Sequence, residues 1–173
     1  MKAHLAYLKY VIRHKWFVFL ACLRLKVPLW RAIIHDWTKF LPCEWSAYVR
    51  SFYNPDGTSN KAKRVDRPIW LNQDFDDAWN HHQKANKHHW QYWVLVTDSD
   101  DPRLRPLEMP HTYIREMVAD WIGAGRAITG KYEVAQWYEK NQHKMMLADG
   151  TRFVVERLLK QRTPTASTEG GGE

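Results

Sequence analysis

The sequence contains few cysteines, no hydrophobic run that could span a bilayer, and no segment with the alternating pattern of a β-strand. Cys22 and Cys43 are the two cysteines, and neither has a second cysteine at the spacing of a metal-ligand pair, which predicts buried free thiols. The longest apolar run near the start, residues 16–23, is far below the roughly 20 residues that cross a bilayer. Charged residues rather than a small-residue cleavage site follow this run, so we expect a cytoplasmic protein without a membrane partner.

The apolar periodicity predicts an all-α protein with one compact helical domain over residues 1–162. Residues 163–173 are rich in Thr, Ser and Gly, and are expected to form a disordered tail. A turn is expected at Asn86, a loop over residues 98–110, and a further turn at Asp149 and Gly150. Proline, glycine and apolar spacing predict helices over residues 3–25, 28–41, 42–52, 72–85, from Pro110 to Gly130, and over 133–146 and 151–161.

Tryptophan, histidine and positive charge are all in excess. The ten tryptophans fall at helical spacing, which is typical of core and helix-packing residues. The formal net charge of +7 suits a partner that carries phosphate, such as a nucleotide, another small phosphorylated substrate or a nucleic acid. Residues 57–67 form a polar, basic loop that could gather anions, although a solvated loop is the simpler interpretation.

Several of the nine histidines accompany carboxylates on separate predicted helices, as in helical bundles that hold metals in their interior. An unpaired buried carboxylate such as Asp36 is costly, and needs either an ion pair or a metal. Imidazole and carboxylate donors suit manganese, iron, cobalt or zinc, and the donor number allows one or two ions. The donors are His14, His35, Asp36, the pairs at His81 and His82 and at His88 and His89, and Asp120.

The choice within each histidine pair rests on spacing. The pairs are seven positions apart, so a continuous helix would place His82 with His89 on one face, and we favour these two as metal ligands. His81 or His88 could then donate a proton to a leaving group. The pairs could instead form a structural polar cluster or a phosphate-binding patch, and Asp120 could form a salt bridge with Arg115 or Arg126.

The order His14, then His35 with Asp36, then Asp120 resembles the signature of the HD superfamily of metal-dependent phosphohydrolases. The resemblance implies an HD-like helical bundle in which these four residues bind metal. It also implies that a metal-activated hydroxide, positioned by Asp36, attacks phosphorus in a nucleotide or related phosphate ester. Lys39 resembles the lysine of the family's His-Asp-x-x-Lys run, which lies near the substrate phosphate. The additional histidines resemble those that let some members hold two metals.

Three segments also resemble a small bacterial and phage family that has no established activity: residues 35–40 (HDxxKF), 81–93 (HHQxxNxHHWxYW) and 117–121 (MxADW). Two other functions stay open beside the hydrolase. A minority of HD proteins use a histidine-rich two-iron site to activate oxygen. Alternatively, the protein could be a non-catalytic nucleic-acid-binding metalloprotein in which the basic loop contacts phosphates.

Overall fold

A computed structural model describes residues 1–98, 100 and 103–160 of the chain, and these residues form a mostly helical fold, as predicted. The expected disordered tail lies outside the described residues. The helices are α1 Lys2–Arg24, α2 Leu29–Ile34, α3 Pro42–Phe52, α4 Ile69–Ala85, α5 His111–Thr129, α6 Val134–Asn141 and α7 Asp149–Lys160. Strands β1 Val94–Val96 and β2 Leu104–Pro106 form an antiparallel hairpin.

The two longest helices, α1 and α5, pack against each other and form the centre of the fold. No proline or glycine interrupts α1, which ends shortly before Pro28. A Cβ atom on Gly123 of α5 would lie 2.3 Å from Val18 Cγ2, so glycine is required for this close approach. Gly130 ends α5 in the left-handed conformation expected of a helix-terminating glycine.

Buried apolar side chains form two clusters along α1. Tyr7 and Val11 belong to the first cluster, which also contains residues of α3 and α4. Val18 and Cys22 belong to the second and larger cluster, which includes α5 and α7. His14 lies on the buried face of α1 between the two clusters. The inward-facing polar side chains are therefore enclosed between two apolar cores.

The predicted helix over residues 28–41 is wrong, because α2 ends at Ile34. His35 is extended, Asp36 has a left-handed φ of 54°, and a single 3-10 turn follows at Trp37–Phe40. The expectation of no strand is also wrong, since the β1–β2 hairpin lies partly within the predicted 98–110 loop. Each strand has only three residues, which is too short for a clear alternation.

Two further local expectations are revised, and one is confirmed. The segment predicted as a helix over 133–146 forms the shorter α6 followed by a 3-10 turn, Gln142–Lys144. Asp149 and Gly150 open α7 rather than forming a turn before it. The expected break at Asn86 is present, because Asn86 has an extended backbone and ends α4. His88 and His89 therefore lie beyond the helix, and do not share its face with His81 and His82.

The prediction of buried thiols holds for Cys22, whereas Cys43 is exposed at the start of α3.

The assignment of the tryptophans to the core is wrong for half of them: Trp16, Trp30, Trp37, Trp70 and Trp137 are exposed. Helical spacing indicates that a residue shares a face with others, but not that another element covers that face. Among the described residues, no helix combines the length and apolarity needed to traverse a bilayer.

Candidate metal centre

Asp36 occupies the turn where α2 gives way to the 3-10 segment. Its left-handed backbone is unusual for a non-glycine residue, but aspartate tolerates it better than most residues. The turn buries the Asp36 carboxylate, which is 1% exposed as a residue. The same turn brings Lys39 Nζ to 2.5 Å from Asp36 Oδ2. The helix break therefore orients this carboxylate and its lysine.

A first group of donors joins α1, the α2 turn and α5. His14 Nε2 lies 3.2 Å from both Asp36 Oδ2 and Asp120 Oδ1. His35 Nε2 lies 3.4 Å from the same two oxygens. Ligands held at 2.0–2.1 Å by a tetrahedral ion are separated from one another by about 3.3 Å. The spacing of the His14, His35, Asp36 and Asp120 donors therefore matches that of a metal site.

A second group surrounds the other oxygen of Asp36. His82 Nε2 lies 3.4 Å and His88 Nε2 lies 3.3 Å from Asp36 Oδ1. His89 completes this group, and its ring centroid lies 4.7 Å from that of His82 and 4.3 Å from that of His88. One donor atom from each of these four residues lies within 4.8 Å of the others. Asp36 thus offers one oxygen to each group, and could serve as a ligand in both.

Most of these donor atoms are buried without a hydrogen-bond partner, which is rare for polar atoms in folded proteins. The unpartnered atoms within the two groups are His35 Nε2, Asp36 Oδ1, His82 Nε2, His88 Nε2, His89 Nε2 and Asp120 Oδ1. Their convergence explains the lack of partners if they bind cations. The residues present therefore fit a metal centre.

Two buried glutamates hold the histidine rings in place, and neither was identified from the sequence. Glu116 on α5 lies 3.1 Å from His35 Nδ1 and 3.4 Å from His88 Nδ1. Glu44 on α3 lies 2.8 Å from His82 Nδ1. A carboxylate that accepts the Nδ1 proton leaves Nε2 free to bind metal, and it fixes the orientation of the ring. Glu116 also binds the Arg31 side chain at 2.7 Å.

Glu116 could itself be counted as a metal donor, because it forms a third group with His35 and His88. Its contacts to the Nδ1 atoms favour the orienting role, since the Nε2 atoms of both histidines face Asp36. A signal in the sequence was available: Glu116 and Asp120 lie four residues apart, and therefore on the same face of α5.

Electrostatics favour the ionised carboxylates. Burial would raise the pKa of Asp36, but His35, Lys39 and His82 hold that pKa well below its usual value. Burial, His88 and His82 together keep the pKa of His89 well below its usual value, so this ring is neutral and able to bind metal. Burial would lower the pKa of His35, but Asp36, Asp120 and Glu116 raise it well above its usual value. Metal binding at His35 would therefore release a proton.

Of the other predicted site residues, His88 and Asp120 lie within the two groups and His81 lies outside them. The His81 side chain is 44% exposed, and its Nδ1 lies 2.7 Å from Glu44 Oε1. His88, considered from the sequence as a proton donor, lies among the donors of the second group. Asp120 contacts His14 and His35. The structure thus brings together His14, His35, Asp36, His82, His89 and Asp120, the six residues predicted as ligands, and adds His88.

One of the two arginines considered as salt-bridge partners of Asp120, and two arginines of the basic loop, have other partners. The Arg126 guanidinium lies over the ring of Phe17. In the basic loop, Arg64 forms an ion pair with Asp76 of α4, and Arg67 donates a hydrogen bond to the carbonyl of Ala62.

The fold and the site define a mostly helical protein with buried histidine and carboxylate groups that could hold metal ions. The chain belongs to DUF5662, a family of unknown function, whose profile matches residues 3–161. Neither a curated protein nor a solved structure matched the chain.

Proposed function

We propose that this protein is a metal-dependent phosphohydrolase that acts on a nucleotide or a related phosphate ester. One observation carries the proposal: Asp36 presents one oxygen to each of two donor groups, and Lys39 lies beside one of those oxygens. The two groups could each hold a cation, and paired cations serve many phosphate-cleaving enzymes. The resemblance of the sequence to the HD superfamily supports the same reaction class.

Exposure indicates the side from which a substrate would approach. The side chains of Lys39 and Asp120 are 15% and 14% exposed, whereas those of His14, His35, Asp36, His82 and His88 are at most 2% exposed. A substrate would therefore reach the centre beside Lys39 and Asp120. Burial would lower the pKa of Lys39, but Asp36 and Asp120 raise it above its usual value, so the lysine stays cationic. A cation there is suited to a phosphoryl oxygen.

Metal ions held by these residues would lower the pKa of a water molecule, which could then act as a hydroxide nucleophile near neutral pH. The chain contributes the rest. Asp36 and Asp120 stay ionised, so their carboxylates can bind cations. Glu44 and Glu116 hold the histidine rings, and the surrounding apolar clusters limit the access of bulk water. The products would be phosphate, pyrophosphate or triphosphate and the corresponding alcohol or shorter nucleotide.

A second candidate function is that of a two-iron oxygenase. The observation that favours it is the composition of the second donor group, in which three histidines accompany only Asp36. Neutral imidazoles suit iron that changes oxidation state. The two functions differ in what they need from Lys39, because a cation beside the metals assists phosphate binding and has no comparable role in oxygen activation.

Metal analysis combined with a substrate panel tests the proposal. The purified chain should contain up to two transition-metal ions, and with added manganese or cobalt it should hydrolyse at least one member of a nucleotide and phosphate-ester panel without oxygen. Lys39→Met should lower the turnover by about 100-fold while leaving the metal content unchanged. Asp36→Asn should reduce both metal content and turnover. Asp76→Asn, on the surface ion pair with Arg64, is the matched control.

The outcomes separate the candidates. Hydrolysis that Lys39→Met lowers by about 100-fold supports the phosphohydrolase. Iron content with oxygen consumption that is insensitive to Lys39→Met supports the oxygenase and contradicts the hydrolase. A metal-loaded protein that releases no phosphate, pyrophosphate or triphosphate from any member of the panel would also contradict it.

A further inference from the structure

Helix α1 is apolar on two opposite faces. One face, which includes Tyr7, Val11 and Val18, is buried in the core. The opposite face carries Ile12 and Trp16, and both are 57% exposed. At 100° per residue these two side chains point away from the buried stripe. A helix with apolar residues on both sides is expected to have a cover on both sides, and within the described residues the outer side has none.

The segment around α2 extends this apolar region. Trp30, Ile33, Ile34 and Trp37 are between 48% and 58% exposed. The spacing of three and four residues places Trp30, Ile33 and Ile34 on one side of α2, and Trp37 opens the 3-10 turn that follows. Lys15, the residue before Trp16, donates a hydrogen bond to the carbonyl of Ile33 at 3.3 Å. The segment is therefore joined to α1 at Lys15, one position from Trp16. We call Ile12, Trp16, Trp30, Ile33, Ile34 and Trp37 together the apolar surface.

The charges of residues 1–35, which contain most of the apolar surface, have one sign. Residues 1–35 contain seven lysines and arginines and no aspartate or glutamate. Five of these cations are exposed: Lys2, Lys9, Arg13, Arg24 and Lys26. The first acidic residue of the chain is Asp36, and its carboxylate is buried. The surface thus combines exposed tryptophan and isoleucine with a surrounding set of cations.

This combination discriminates among possible occupants. A second copy of the chain that packed the same surface face to face would bring like charges together, with no carboxylate in residues 1–35 to offset them. A nucleic acid would contact phosphates through a polar, cationic interface, whereas the centre of this surface is apolar. An anionic bilayer satisfies both features, because acyl chains accept apolar side chains, headgroups accept cations, and tryptophan favours the boundary between them.

We propose that the apolar surface binds the interface of an anionic lipid bilayer, with α1 lying parallel to the membrane plane. Ile12, Trp16 and the exposed side chains of residues 30–37 would enter the headgroup boundary. Lys9, Arg13 and Lys26 would contact lipid phosphates and carboxylates. This association is peripheral, and it differs from the expectation of no membrane partner drawn from the lack of a spanning segment.

Flotation of the full chain with lipid vesicles tests the inference. The chain should float with phosphatidylcholine vesicles that contain about 30% phosphatidylserine, and much less with phosphatidylcholine alone. Raising the salt concentration should weaken the association, because the electrostatic part is screened. The double variant Trp16→Ser with Trp37→Ser should lower the vesicle partition coefficient by about tenfold or more.

Trp70→Ser is the matched control, because Trp70 is 59% exposed at the start of α4, outside the apolar surface. Circular dichroism melting shows whether each variant folds as the wild type does. Wild-type binding that the double variant loses and Trp70→Ser retains supports the inference. Three results would overturn it: no binding to the anionic vesicles, equal binding by all variants, or a wild-type dimer that the double variant converts to monomer without any vesicle binding. Vesicle binding by a chain that hydrolyses no phosphate ester would support the membrane inference and contradict the proposed hydrolase. The two tests are independent because the apolar surface contains no metal donor.

Discussion

Replacing Glu116 by glutamine removes one buried charge that supports both donor groups. Glu116 orients His35 of the first group and His88 of the second, at 3.1 and 3.4 Å from their Nδ1 atoms. Glutamine keeps the size of the side chain, but it binds the Nδ1 protons less strongly and does not neutralise Arg31. Loss of such an orienting carboxylate costs about 10- to 100-fold in metal affinity, or about 1.4–2.8 kcal/mol. We expect this loss at both metal sites.

Glu44→Gln provides the contrast. Glu44 contacts His82 of the second group, at 2.8 Å from Nδ1, and its other histidine contact, His81, lies outside both groups. Its substitution should weaken only the site of the second group, by a similar factor. The control is Glu108→Gln, which alters a carboxylate bound to the backbone of Gly150 and the hydroxyl of Thr151. That variant should leave both metal affinities unchanged.

The assay is a competitive titration of the metal-free protein with manganese or zinc against a chelator of known affinity, fitted to two sites. Calorimetric melting of each metal-free variant measures the change in stability separately from metal affinity. Wild-type affinity at both sites in Glu116→Gln would contradict the orienting role of Glu116. Weakening of the same single site by Glu116→Gln and Glu44→Gln would also contradict the assignment, because the two glutamates would then not divide between the groups.

Three further results are expected. Gly123→Ala should destabilise the protein by about 1–3 kcal/mol in chemical denaturation, because its Cβ would lie 2.3 Å from Val18 Cγ2. A Cβ at Gly125 of the same helix would meet no atom within 4 Å, so Gly125→Ala should be neutral or stabilising by up to about 1 kcal/mol. Equal effects of the two substitutions would contradict the close α1–α5 packing. A thiol reagent at pH 8 should label Cys43 rapidly and Cys22 only on unfolding, because Cys22 is buried and burial raises its pKa to about 12. Rapid labelling of both thiols in the folded protein would contradict the burial of Cys22. Metal at a free concentration of 100 times its Kd should stabilise the folded protein by about 2.7 kcal/mol. Its removal by a chelator should therefore lower the melting temperature by roughly 5–10 °C. A melting temperature that metal does not change would argue against a metal centre.

Features that depend on local backbone rules could be predicted from the sequence. Gly130 ends α5 and Asn86 ends α4, as the residue types indicated. The left-handed turn at Asp36 could not be predicted, because nothing in the adjacent sequence opposes a continuous helix there. In the folded protein, contacts with distant residues such as His14 and His82 accompany the turn and hold the Asp36 carboxylate.

The candidate metal donors were identifiable as residue types, since histidine and aspartate in apolar helices require partners. The orienting glutamates were missed because the relation is long-range: Glu116 and His35 are 81 positions apart. The division of Asp36 between two groups likewise depends on where separate helices place their side chains.

The sequence by itself determined the helical class, most helix ends and the donor inventory, because propensity, capping and apolar periodicity act over a few residues. Only the tertiary structure decided which apolar face of α1 is buried and which carries the exposed Trp16. Periodicity marks both faces alike, and the choice between them depends on which other helices pack against α1. Tertiary packing also brought His88 into the second donor group, because the position of a residue beyond a helix end depends on contacts with the rest of the fold.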